Sequence, residues 1–91
     1  MKLFFRIHTI QRMFERGISA DVIRLVLESG KTIEHYADDK AYPSRLVLGW
    51  RGKRPLHVVA ADNSASNESI IVTVYEPDPS HWEADFKRRK Q

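Results

Sequence analysis

His8, Arg12 and Arg16 stand four residues apart, and on a helix that spacing sets side chains on one face. The result is a polar ridge of one imidazole followed by two guanidiniums. An imidazole titrates near neutrality and can take or give a proton, while guanidiniums grip phosphate oxygens through paired donors. Such a ridge suits the chemistry of phosphate esters. A solvated helix face has the same composition, so spacing alone leaves both readings open. His57 lies among the apolar residues Leu56, Val58 and Val59. A histidine there is either a hydrogen-bonded structural residue or a second proton-transfer group. Thr73 and Tyr75 alternate along a β-rich run and present hydroxyls that suit a phosphate, or a ring that suits a base. No His-Glu-x-x-His or comparable ligand spacing occurs, and His81 near Glu83 and Asp85 reads as helix-start chemistry. Neither a metal nor a cofactor is expected.

Charge is informative through its distribution more than through its sum of +3. Lys2, Arg6, Arg12 and Arg16 face a single acid, Glu15, over the first sixteen residues. Arg45, Arg51, Lys53 and Arg54 have no acid among them, and from Pro55 to Phe86 there is no Lys or Arg at all. Lys87, Arg88, Arg89 and Lys90 then follow in a run. Three separated basic blocks either converge on one polyanion-binding surface or point three ways and keep the chain soluble. Arg51, Lys53, Arg54, Lys87, Arg88 and Arg89 are the expected grips on a nucleic-acid backbone. There is no cysteine, hence no disulfide framework and no thiolate site. No apolar run has membrane-spanning length, and the first residues lack the pattern of a signal peptide. The expected location is the cytoplasm.

The elements that must position these residues follow from periodicity and punctuation. At 91 residues the chain is expected to form a single domain, 1–91, with a small core. A first helix from about Ile7 to Arg16 is expected to bury Ile7, Ile10 and Phe14, and Gly17 stops it. Ser19 caps a second helix whose stripe is Val22, Ile23, Val26 and Leu27, and Gly30 ends it. The pair reads as a helical hairpin. Leu3-Phe4-Phe5 is a short lead-in strand or an apolar anchor. Strands are expected at Thr32 to Tyr36, Arg45 to Trp50, Leu56 to Ala61 and Ile70 to Tyr75. A hairpin centred on Ala65 sets His57 opposite Thr73. Pro77-Asp78-Pro79 closes the last strand and starts a final helix docked by Trp82 and Phe86. The expected fold is α+β: a helical hairpin, an antiparallel sheet of three or four strands, and a C-terminal helix. Short strand-to-strand loops argue against parallel pairing.

Four blocks in order carry a resemblance. They are His8-x3-Arg12-x3-Arg16-Gly17-Ile18, Tyr42-Pro43-Ser44, Pro55-Leu56-His57-Val58-Val59, and Thr73-Val74-Tyr75-x-Pro77-Asp78-Pro79-x2-Trp82. Together they resemble the bacterial family called domain of unknown function 4258, over nearly the whole chain. That family is similar to the RelE-like toxins of type II toxin–antitoxin systems and to small metal-independent ribonucleases around barnase. The resemblance implies a RelE- or barnase-like fold and an endoribonuclease toxin acting on messenger RNA. It also implies a cognate antitoxin as partner, of the zinc-ribbon MqsA type. Under it His8, Arg12, Arg16, His57, Thr73 and Tyr75 become the catalytic set: bases and acids from the histidines, phosphate binding from the arginines. The alternative is a non-catalytic basic module that binds RNA or a protein partner.

Overall fold

Two punctuation marks build the helical half of the molecule. The computed structural model describes all 91 residues. Helix α1 (Ile7–Arg16) ends where Gly17 adopts a left-handed φ of 64°, and the chain folds back so that the Ile18 amide donates to the Met13 carbonyl at 2.8 Å. That return buries Ile18. The Ser19 hydroxyl then accepts the Val22 amide at 3.2 Å and caps helix α2 (Ala20–Ser29). Helix α2 buries Ile23, Val26 and Leu27, and full burial of a side chain such as Ile23 contributes about 1.5–3 kcal/mol. Neither helix is long and apolar enough to cross a membrane.

The sheet holds five strands: β1 (Lys2–Phe5), β2 (Lys31–Tyr36), β3 (Ser44–Arg51), β4 (Arg54–Asn63) and β5 (Glu68–Tyr75). Their order is β1-β5-β4-β3-β2. The run β2 to β5 is an antiparallel meander, as short local connections require. Strand β1 pairs parallel to β5, with Phe5 beside Ile71. The sheet is therefore mixed and five-stranded, in place of the expected antiparallel sheet of three or four strands. The reason is connectivity: α1, α2 and the strands β2 to β4 all lie between β1 and β5, so no short hairpin imposes antiparallel pairing on them.

The helices cover one face of the sheet, and their core joins Ile18, Ile23, Val26 and Leu27 to Val47, Leu56, Val58, Ala60, Ile71 and Val74. Gly49 is a point of close approach between α2 and β3. A Cβ there would lie 2.6–3.0 Å from the carbons of Val26, so only glycine lets α2 sit directly on β3.

Three further expectations are corrected. The α1 residues expected to be buried, Ile7, Ile10 and Phe14, are 77%, 52% and 89% exposed. The helix instead turns Thr9 inward, with Met13 packed on the core. Polar anchoring sets this rotation: the Thr9 hydroxyl donates to the Val72 carbonyl at 2.9 Å and lies 3.3 Å from that of Ile71.

The register of the last hairpin also differs. Thr73 pairs with Val59 and Ile71 with Ala60, so Val72 is an extra residue with no opposite number. This bulge puts both Ile71 and Val74 in the core and sets His57 opposite Tyr75, not Thr73.

The expected final helix does not form. Asp78 caps a single turn through Ser80 and His81, after which Phe86 takes a left-handed φ of 57° and Trp82 bridges back to Arg89. The segment 77–91 is thus a strap across the second face of the sheet. Its Phe86 carbonyl is taken by His57 at 2.8 Å, whereas a helix would claim its carbonyls internally.

Candidate functional site

The ridge on α1 forms as its spacing requires. His8 is held at the outer edge of β5, where its Nε2 lies 2.9 Å from the Val72 carbonyl. A carbonyl only accepts, so Nε2 carries the proton and the Nδ1 lone pair is left without a protein partner. The bulge supplies this anchor, because the unpaired Val72 offers its carbonyl to His8 and Thr9 together. Arg12 and Arg16 follow on the exposed surface, and neither forms an ion pair.

The second basic block abuts the end of this ridge. Arg51 Nη1 donates to the Gly17 carbonyl at 2.9 Å, a cation placed where the helix dipole favours one. Arg54 pairs with Glu76 at 2.7 Å, and Arg51 lies 4.0 Å from the same carboxylate. Lys53 stands at the exposed tip of the turn, beside Gly52 in its left-handed conformation. The ridge and the turn therefore make one positive face in which Glu76 is the acid that pairs.

The remaining candidates lie elsewhere. His57, Thr73 and Tyr75 share the sheet face away from the helices, beneath the strap. His57 is fully buried. Its Nε2 donates to the Phe86 carbonyl at 2.8 Å, which leaves Nδ1 to accept from the Tyr75 hydroxyl at 3.2 Å. The Trp82 ring meets the imidazole edge-on at 4.5 Å. Burial pushes the His57 pKa down, the bond to Phe86 opposes this, and the Arg89 charge adds to the depression. Burial likewise raises Tyr75. Tyr36, which donates to Glu34 on the same face, is pushed up to about 12, first by burial and then by that carboxylate.

No contact joins His8 to His57, and a molecule touching the first does not reach the enclosed ring of the second. Lys87, Arg88 and Arg89 belong to the strap. Arg89 lies over the Trp82 ring at 4.8 Å, and Arg88 pairs with Asp85 at 3.5 Å. The sequence reading passed over Glu34, Tyr36 and Trp50, whose positions near the strap depend on long-range folding and leave no local signature.

The class defined by these observations is a small α+β domain whose α1 edge carries an unneutralised histidine–arginine ridge. The chain belongs to the family described as Domain of unknown function (DUF4258), which matches residues 5–76. The match takes in the ridge, the basic turn and the His57 strand, and stops before the strap. No curated protein and no solved structure matches the chain.

Proposed function

We propose that this protein is an endoribonuclease of the toxin–antitoxin type that cleaves messenger RNA without a metal, with the α1 ridge as its working surface. The observation that carries this reading is the state of His8. One nitrogen is pinned to a backbone carbonyl, the other carries an open lone pair, and two unpaired guanidiniums follow on the same face. In the reaction, His8 Nδ1 takes the proton of a ribose 2′-hydroxyl. That oxygen attacks the adjacent phosphorus, the bond to the 5′-oxygen breaks, and the leaving oxygen takes a proton from the imidazolium or from water. Arg12 and Arg16 neutralise the charge that builds on the phosphoryl oxygens. The products are a 2′,3′-cyclic phosphate and a free 5′-hydroxyl. His57 takes no part, because both its nitrogens are engaged; it holds the strap instead.

The test is incubation of the purified protein with RNA in a chelator, with the ends analysed for cyclic phosphate. His8→Ala should abolish cleavage and Arg12→Ala should slow it. Undiminished cleavage by His8→Ala removes the mechanism. A second reading, a non-catalytic basic module, is favoured by the enclosure of His57, which leaves His8 as the accessible imidazole of the candidate set where acid–base cleavage commonly uses two groups. It predicts salt-sensitive binding with no turnover. The cognate antitoxin is part of the proposal too, and co-purification with a neighbouring gene product as one gel-filtration peak is its expected outcome.

A further inference from the structure

The edge of the sheet opposite His8 carries a second charged feature. Strand β2 is that edge, and β1 with its neighbour β5 lies at the other. A groove of about 370 Å³ opens where α2 meets the start of β2, lined by Leu25, Ser29, Lys31, Trp50 and Lys87 among others. Two further grooves continue it. The first shares Lys31 and Lys87 and adds Arg88, and the second shares Arg88 and adds Arg89 and Lys90. The chain of shared residues makes one track along the strap. Its acids are Asp85, already paired with Arg88 at 3.5 Å, and Glu83. Lys31, Lys87 and Lys90 have no carboxylate within ion-pair distance. At the head of the track stands Trp50, 49% exposed and steadied by Phe86, whose ring meets it edge-on at 6.0 Å.

The geometry points to a binding track for single-stranded RNA, with one base stacked on Trp50 and the following phosphates on Lys31, Lys87 and the strap. An exposed indole at the end of a cationic groove is the pairing that single strands use, since every base offers a π-face and every linkage a charge. A purely acidic peptide would need the cations and leave the indole unexplained. A duplex would keep its bases stacked on one another and leave the indole idle. The proposal rests on the reading of RNA as the ligand and adds a second contact to it. The strand that meets His8 beside β5 is held across the sheet by Trp50 on β3 and Lys31 on the edge strand β2, so that productive substrates are long enough to span both.

Trp50 is its own reporter, because the other tryptophan, Trp82, is 4% exposed. The full-length wild-type protein is titrated with a 2′-O-methyl oligoribonucleotide, which binds and cannot be cleaved, while indole emission is followed. Saturable quenching is expected. Trp50→Ala should weaken binding about tenfold, and Lys31→Ala with Lys87→Ala should reduce the salt slope by about two. Duplex RNA should quench little. Absence of quenching by the oligomer, or equal quenching by duplex, overturns the track. Quenching by polyglutamate but not by RNA overturns it in favour of an acidic protein partner. Cleavage that depends on His8 in a protein showing no quenching removes the track alone. Quenching without cleavage removes the enzymatic reading alone.

Discussion

Lowering the pH should loosen the strap, and His57 sets the range. In the unfolded chain this imidazole titrates near 6.5. In the folded protein its pKa lies lower, because burial disfavours the charged ring and Arg89 adds to that effect. Between the two values the unfolded chain holds a proton that the folded chain refuses. The contribution is thus fully present above about pH 6.5 and is lost as pH falls toward the folded value, at up to about 1.4 kcal/mol per pH unit for one proton. From pH 6.5 to 5 the ceiling is about 2 kcal/mol by the same relation, a large share of the stability of a small domain. The groups facing the ring are Tyr75, Glu34 and Arg89. Other groups titrate too, and a difference between variants isolates the one that matters. Gln at position 57 can still donate to the Phe86 carbonyl but cannot titrate. Urea unfolding of wild type and His57→Gln should be followed by tryptophan fluorescence at intervals between pH 5 and 8. The stability advantage of the wild type should shrink with acidification. Parallel curves for the two proteins would refute the assignment of this proton to His57.

Other expectations follow from packing and charge. Gly49→Ala should destabilise by about 1–3 kcal/mol, because α2 must lift from β3 to admit the methyl group; thermal unfolding measures it. Thr9→Val keeps the shape and removes the bond to Val72, and should cost about 1 kcal/mol in the same assay. Arg12→Ala and Arg16→Ala should each reduce the salt slope of RNA binding by about one without changing sequence preference, as measured by filter binding at several ionic strengths.

Both helices were legible in the sequence because their ends are marked by local chemistry, in Gly17, Ser19 and Gly30. The meander strands were legible from alternation. The bulge was not, since one extra residue inside Ile70–Tyr75 leaves the composition of a good strand unchanged and shifts only the pairing. Periodicity revealed that α1 has an apolar stripe but not which way it faces. The hydroxyl of Thr9 decided that, through carbonyls about sixty residues away. Trp82 and Phe86 were rightly expected to dock, yet their separation of four also suits a strap that crosses two different neighbours, His57 and Trp50. The ridge itself needed only helical spacing. The enclosure of His57 needed the whole tertiary structure, because its walls come from β5 and the strap.

The unpaired Val72 makes the length of β5 a positional device. Loss of that one residue would heal the ladder with β4 and withdraw the oxygen on which the first turn of α1 hangs. The pairs Ala60–Ile71 and Val59–Thr73 would then follow one another without interruption, so Ile71 and Val74 keep their places in the core. A single in-frame deletion would thereby dislodge the imidazole while sparing the core, an outcome that no exchange of side chains at this position reproduces, because the anchor belongs to the backbone.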